Sequence, residues 1–297
     1  METTTLKTSI AHLPDRFQDD LQAIKELALK YGPKPAMIIL FGSFARGSQV
    51  EDTTQVDGNT YEYTSDYDIL VVTERNIKMQ RHRWLELRNR IDRRPTPIPT
   101  TLITHSIHVL NEKIKDRHYF FLDLIKEGIM LYDSGRYELA VPPEKLTSDK
   151  RLKKAKKYRE HYMTEGDDYY DFCKIGLEKK KYNKAAFLLH QAVESYYSAL
   201  SLVMTDYKPK THDLAELNQI AIQLNEACRA VFPLQTQEQE DCFTLLRRAY
   251  TDARYDLTYT IILEQLQYLM ERAVVLRELT DKLTDEEITR LEKQLEA

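Results

Sequence analysis

Two short runs carry the residue types that phosphate chemistry needs: Gly42-Ser43-Phe44-Ala45-Arg46-Gly47 and Asp66-Tyr67-Asp68. In an extended chain, residues two apart point the same way, so Asp66 and Asp68 share a face opposite Tyr67. Adjacent carboxylates repel unless a cation sits between them. Hard oxygen ligands suit Mg²⁺, which commonly takes one or two carboxylates plus substrate phosphates. Gly42 has no side chain, so the local amides and the Ser43 hydroxyl can approach a phosphate closely. Arg46 adds a fixed positive charge beside them. Gly42, Ser43 and Arg46 are therefore the candidate nucleotide-phosphate residues. Asp66 and Asp68 are the candidate catalytic and metal-binding residues. The pattern points to phosphoryl or nucleotidyl chemistry.

These runs must be placed by strands, and the local patterns supply them. Residues 12–31 put Leu13, Phe17, Leu21, Ile24, Ala28 and Tyr31 at helical spacing, and Gly32-Pro33 punctuates the helix. Residues 36–41 (AMIILF) form an apolar run of strand length that ends in Gly42-Ser43. A polar stretch at 49–64 reads as an exposed excursion, and 66–72 (DYDILVV) as a second strand. A basic helix with a thin apolar stripe (Ile77, Trp84, Leu87, Ile91) is expected over 76–92. Pro95, Pro97 and Pro99 mark a loop. A third strand follows at 100–106, then a helix over about 109–126 and a short strand near 129–132.

Past Val141-Pro142-Pro143 no strand signal remains. Helical runs are expected at about 146–180, 182–205, 212–230, 238–256 and 258–280, with a charged tail beyond. The expected fold is thus an α/β (α+β) domain with a mixed sheet at 1–140, then an all-α bundle at 146–297.

Composition narrows the partners. The 297 residues hold 42% hydrophobic and 30% charged residues, a soluble globular profile rather than a disordered one. With 43 basic against 47 acidic residues, a broad nucleic-acid-gripping surface is not expected. No apolar stretch reaches membrane-spanning length and no signal-peptide pattern opens the chain, so no membrane partner is expected. Cys173, Cys228 and Cys242 lack metal-ligand spacing and read as reduced, buried thiols of a cytoplasmic protein.

The text IILFGSFARGS…SDYDILVV resembles the nucleotidyltransferase superfamily of DNA polymerase beta, in its minimal and kanamycin-type branch. That resemblance covers roughly 20–135. It implies that Gly42 and Ser43 hold a triphosphate while Asp66 and Asp68 hold Mg²⁺. Two departures stand out. The 43-to-66 spacing is longer than usual, which the polar excursion accounts for. Where the family often carries a third carboxylate on the next strand, this chain has Thr101. Loss of that acid removes a metal ligand or a base. His105, on the same strand face, is the one nearby alternative, and its default role is as a packed or surface histidine.

The helical half, through AAFLLHQAVESYYSALSLV, THDLAEL and RRAYTDARY, resembles a HEPN domain over about 150–280. The resemblance implies a homodimer through the helical domain. Ribonucleases of that family use an Arg and a downstream His separated by four to six intervening residues. Arg247, Arg248 and Arg254 have no such His, which argues against metal-independent RNA cleavage. His190 and Glu194, four apart, are expected to hydrogen-bond each other on one helix face. Thr211 or Asp213 is expected to cap a helix. Lys150–Arg159 reads as a solvated basic face, and Arg254-Tyr255 as a surface arginine with a packed tyrosine.

Together the resemblances imply an Mg²⁺-dependent nucleotidyltransferase that moves NMP from an NTP, ATP first, to a small-molecule or protein hydroxyl. The alternative is a nucleotide-binding or sensing module that has lost catalysis, with a HEPN dimerisation domain. In the enzyme reading, the bundle faces Asp66 and Asp68 and supplies the missing acid, with Glu194 as first choice.

Overall fold

The computed structural model describes residues 5–49, 51–56, 59–74, 81–95 and 98–296, with 51–56 and 59–64 by backbone alone. The chain divides into two compact units, Met1–Lys145 and Leu146–Ala297.

The first unit opens with α1 (Asp15–Tyr31), β1 (Pro35–Phe41) and the short α2 (Gly42–Arg46). There follow β2 (Glu51–Val56), β3 (Asn59–Thr64), β4 (Tyr67–Thr73), α3 (Arg81–Asp92) and β5 (Thr100–Ser106). It closes with α4 (Ile107–Lys115), α5 (Tyr119–Glu127) and β6 (Ile129–Asp133). The main sheet has the order β5-β4-β1-β6. β1 runs antiparallel to β4 and β6, while β4 and β5 are parallel, so the sheet is mixed as expected. Parallel neighbours need a crossover, and α3 lies in the connection from β4 to β5.

Alternation along the strands gives each face of this sheet its own core. Ile38, Leu40, Tyr67, Ile69 and Val71 pack on Phe17, Leu21 and Ile24 of α1 and on Leu87 and Ile91 of α3. Met37, Ile39, Leu70 and Val72 pack instead on Ile107, Leu110 and Ile114 of α4 and Phe121 and Leu124 of α5. A helix layer on each face explains why β1 is buried along nearly its whole length.

Two local expectations change in this unit. The polar excursion is a β2–β3 hairpin with its own two-stranded sheet, paired from Glu51↔Thr64 to Val56↔Asn59; residues 57–58 lie outside the described set. The helix expected over 109–126 is two helices. Asp116 caps α4 and Arg117 takes a left-handed φ of 51°, a reversal that no apolar spacing records. The beginning of the helix expected from 76, and Pro97 in the proline loop, also lie outside the described residues.

The second unit contains α6 (Ser148–Glu178), α7 (Tyr182–Thr205), α8 (Leu214–Leu224), α9 (Gln237–Arg248), α10 (Asp252–Tyr255) and α11 (Leu263–Glu296). A 3₁₀ turn at Glu226–Ala230 follows α8, and no strand occurs in this unit among the described residues. α7 is central, buried at every position from Ala192 to Val203. The charged tail expected past 280 instead continues α11. Ile288 and Leu291 pack with Ala155 and Val203, so an apolar stripe runs beneath its charges.

Candidate active site

Chain direction brings the Gly42–Gly47 and Asp66–Asp68 runs to one end of the main sheet, the edge formed by its strand ends. β1 ends at Phe41, β4 starts at Tyr67 and β5 starts at Thr100. Phe41 pairs with Asp68 across the antiparallel ladder, and Thr101 pairs with Asp68 across the parallel one. The backbone N–H of Tyr67 donates to Pro99 O at 2.9 Å, which locks the start of β4 against β5.

Tyr67 points away from the carboxylates, as the alternation requires. It is fully buried with Phe17 and Phe44, its ring centroid 4.4 Å from that of Phe44. This aromatic contact ties the glycine turn to the β4 carboxylates from below. His12 steadies the same turn, with Nε2 2.9 Å from Phe44 O.

Gly42 opens α2 with a φ of +75°, a conformation that favours glycine. A Cβ on Gly42 would come within 2.0 Å of Asp68 Oδ2. The turn and the carboxylate therefore occupy one small volume. Burial, then the neighbouring Asp66 charge, push Asp68 up to about 6, while Arg46 pulls it down. A carboxylate held beside another in a half-buried edge is a place where a cation is favoured. The donor chemistry at this edge thus fits a hard divalent ion.

Arg46 reaches the site through its field and also pairs with Glu127 at 3.5 Å, its side chain 38% exposed. Ser43 is half-buried in the first turn of α2. All five sequence-expected residues thus lie along the α2 turn and the start of β4.

Thr101 lies beside Asp68, and its hydroxyl donates to Asp66 Oδ2. His105 pairs with Val72, well along β5 from Asp68, and its ring packs on Phe121 at 5.3 Å. Burial lowers its pKa, with Lys113 acting in the same direction. It is a packed histidine. Among the described residues no group of three or more His, Cys, Asp or Glu is placed to hold a metal.

Arg94 is the positioning residue that motif reading passes over. It donates to Asp20 Oδ1 and to Thr100 Oγ1, both at 2.7 Å, with its side chain 7% exposed. A nearly buried arginine joins α1, the end of α3 and the first residue of β5, next to Thr101. The proline-rich sequence around it carried one signal, a lone Arg93-Arg94 pair before a turn.

In the second unit, Glu194 bonds His212 rather than His190. His212 Nδ1 lies 2.9 and 3.0 Å from the two carboxylate oxygens, and its ring stacks on Tyr250 at 4.7 Å. The expected His190–Glu194 bond is therefore replaced by a contact from the loop before α8. His190 is fully buried against Tyr250, and burial drops its pKa to about 4. Asp213 caps α8 through the Ala215 amide at 2.9 Å and holds Arg247 in a two-pronged ion pair. Tyr255, expected to pack, is 74% exposed, although Arg254 lies over its ring. The basic face of α6 is largely paired within the unit, through Lys154–Asp206, Lys156–Glu292 and Arg159–Asp281.

The mixed sheet with its glycine turn and edge carboxylates defines a nucleotidyltransferase-type domain. Residues 22–137 match the family model described as polymerase beta, nucleotidyltransferase, and residues 159–283 match the HEPN domain model. The chain is a polymerase-beta-type nucleotidyltransferase domain joined to a HEPN domain. A search of curated proteins finds no significant match. No helix among the described residues is long and apolar enough to cross a membrane.

Proposed function

We propose that the chain is an Mg²⁺-dependent nucleotidyltransferase that moves NMP from an NTP, ATP first, to a small-molecule or protein hydroxyl. The observation that carries this reading is the shared edge of Gly42 and the Asp66/Asp68 pair, where backbone approach and two carboxylates converge. Gly42 and Ser43 would receive the triphosphate, with Arg46 adding charge, and Asp66 and Asp68 would hold the ion. The ion supplies neutralisation of the charge that gathers on the phosphates. The chain's own part is to hold the α-phosphorus in line with the attacking oxygen. A bond forms from that oxygen to phosphorus as the bond to pyrophosphate breaks, and the hydroxyl proton passes to solvent.

The domain limits that go with this reading are 1–140 and 146–297, supported by the break between Lys145 and Leu146. A homodimer through the HEPN domain and a cytoplasmic site of action complete the proposal. Three free, buried cysteines suit a reducing compartment.

One observation favours a second reading, a nucleotide-sensing module. Thr101 stands beside Asp68 where a third acid would complete the catalytic set. Incubation with Mg²⁺ and α-labelled NTPs separates the two. Pyrophosphate release with label on protein or acceptor, lost in the Asp66→Asn/Asp68→Asn double variant, supports the transferase. Tight nucleotide binding with no release supports the sensor. Absence of binding overturns both.

A further inference from the structure

We propose that this edge holds a single divalent ion, the one that arrives with the nucleotide phosphates, and that Thr101 excludes a second. The inference rests on the nucleotide-binding reading above.

Two ions about 3.5–4 Å apart require ligands that bridge them and negative charge that offsets their mutual repulsion. Among the described residues, the carboxylates at this edge are Asp66 and Asp68, and the positive charge of Arg46 acts on Asp68. Among the described residues no third acid, histidine or cysteine joins them. The neighbour in register with Asp68 is Thr101, whose hydroxyl is neutral. Moreover, that hydroxyl donates its proton to Asp66 Oδ2 and so uses part of that oxygen's capacity to bridge. Thr101 is itself located, because Arg94 grips Thr100 and the Tyr67 amide grips Pro99. Register and hydrogen bonding thus hold a donor where a second ion would need an acceptor.

This arrangement has a functional consequence. A nucleotide with its own ion can be seated on Asp66 and Asp68, while the acceptor oxygen meets no ion on the protein. Thr101 is a positioning residue here, acting through Asp66.

The test counts ions without reading turnover. The full chain is saturated with Mn²⁺ and a non-hydrolysable α,β-imido ATP, and bound Mn²⁺ is measured by equilibrium dialysis and electron paramagnetic resonance. One Mn²⁺ per chain, without spin coupling, is expected. Thr101→Asp should bind a second ion and show the coupled spectrum of a close pair. Two coupled ions in the unaltered chain would overturn the inference and leave the nucleotidyltransferase reading intact. A count that stays at one in a folded Thr101→Asp chain would remove Thr101 as the cause and overturn it as well. No bound nucleotide and no Mn²⁺ would remove the underlying reading itself.

Discussion

Gly42 and Asp68 are packed so closely that a single added carbon on Gly42 would fall 2.0 Å from Asp68 Oδ2. The carboxylate can escape such a carbon only by swinging out of the site. Gly42→Ala is therefore expected to lose Mg²⁺-nucleotide binding by calorimetry. Its stability cost should be about 1–2 kcal/mol, set by the left-handed backbone. Gly135 is the control, with φ +68° and open space around it. Gly135→Ala should cost a similar amount in urea melts and leave binding unchanged.

Asp68 is pushed up to about 6, so its ionised form works against the fold at higher pH. Asp68→Asn removes that charge and keeps the shape. At pH 8 in EDTA the variant should melt a few degrees above the parent. The stabilisation that Mg²⁺ gives the parent should disappear in the variant. Unchanged ATP affinity with Mg²⁺ in the Asp66→Asn/Asp68→Asn chain would show that the ion binds elsewhere.

His190 gives the HEPN unit a pH dependence of definite sign. Its folded pKa is about 4, below the ordinary 6.5. The unfolded chain gains this proton first as pH falls, so stability is lost from 6.5 down to 4. The loss is on the order of 3 kcal/mol over that window. His190→Gln should flatten the stability–pH curve there, read from urea midpoints. A curve parallel to the parent's would place the dependence on another group.

The Glu194 carboxylate is 9% exposed and the His212 side chain 59% exposed. His212→Ala leaves a buried carboxylate without its partner, at a cost of about 1–3 kcal/mol. Once Glu194→Gln has removed the charge, the same His212 change should cost less. A double-mutant cycle with additive costs would show that the two side chains are not coupled.

RNA should survive incubation with the protein in EDTA. Arg247 is committed to Asp213, Arg248 to Asp252, and Arg254 to the Tyr250 carbonyl and three aromatic rings. Gel assays on structured RNA check this. Cleavage that vanishes on Arg254→Ala would assign the HEPN unit a nuclease activity.

Much of the site was legible because its signals are local. The period of two in DYDILVV puts Asp66 and Asp68 on one face wherever the strand lies, and Gly42-Ser43 ends an apolar run whatever follows. The third strand has the same limits in sequence and structure, 100–106, since Thr, Ile and Thr favour a pleated backbone. The α4–α5 break and the helical tail were not legible. One depends on a left-handed residue at Arg117, the other on buried partners, Ala155 and Val203, far away in the chain.

Local residue patterns name the side chains able to do chemistry and set an α/β half before a helical one. Those properties follow from residue type, period and turn residues, which act over a few positions. Which of them meet depends on pairings between distant parts of the chain. Thr101 reaches Asp66 across 35 residues because β4 and β5 pair in parallel, and Arg94 holds that pairing at its first residue. Glu194 takes His212, 18 residues away, instead of the histidine one turn behind it on its own helix. Helical spacing brings His190 and Glu194 to the same face, yet burial keeps His190 neutral against Tyr250 and leaves the carboxylate to the half-exposed imidazole.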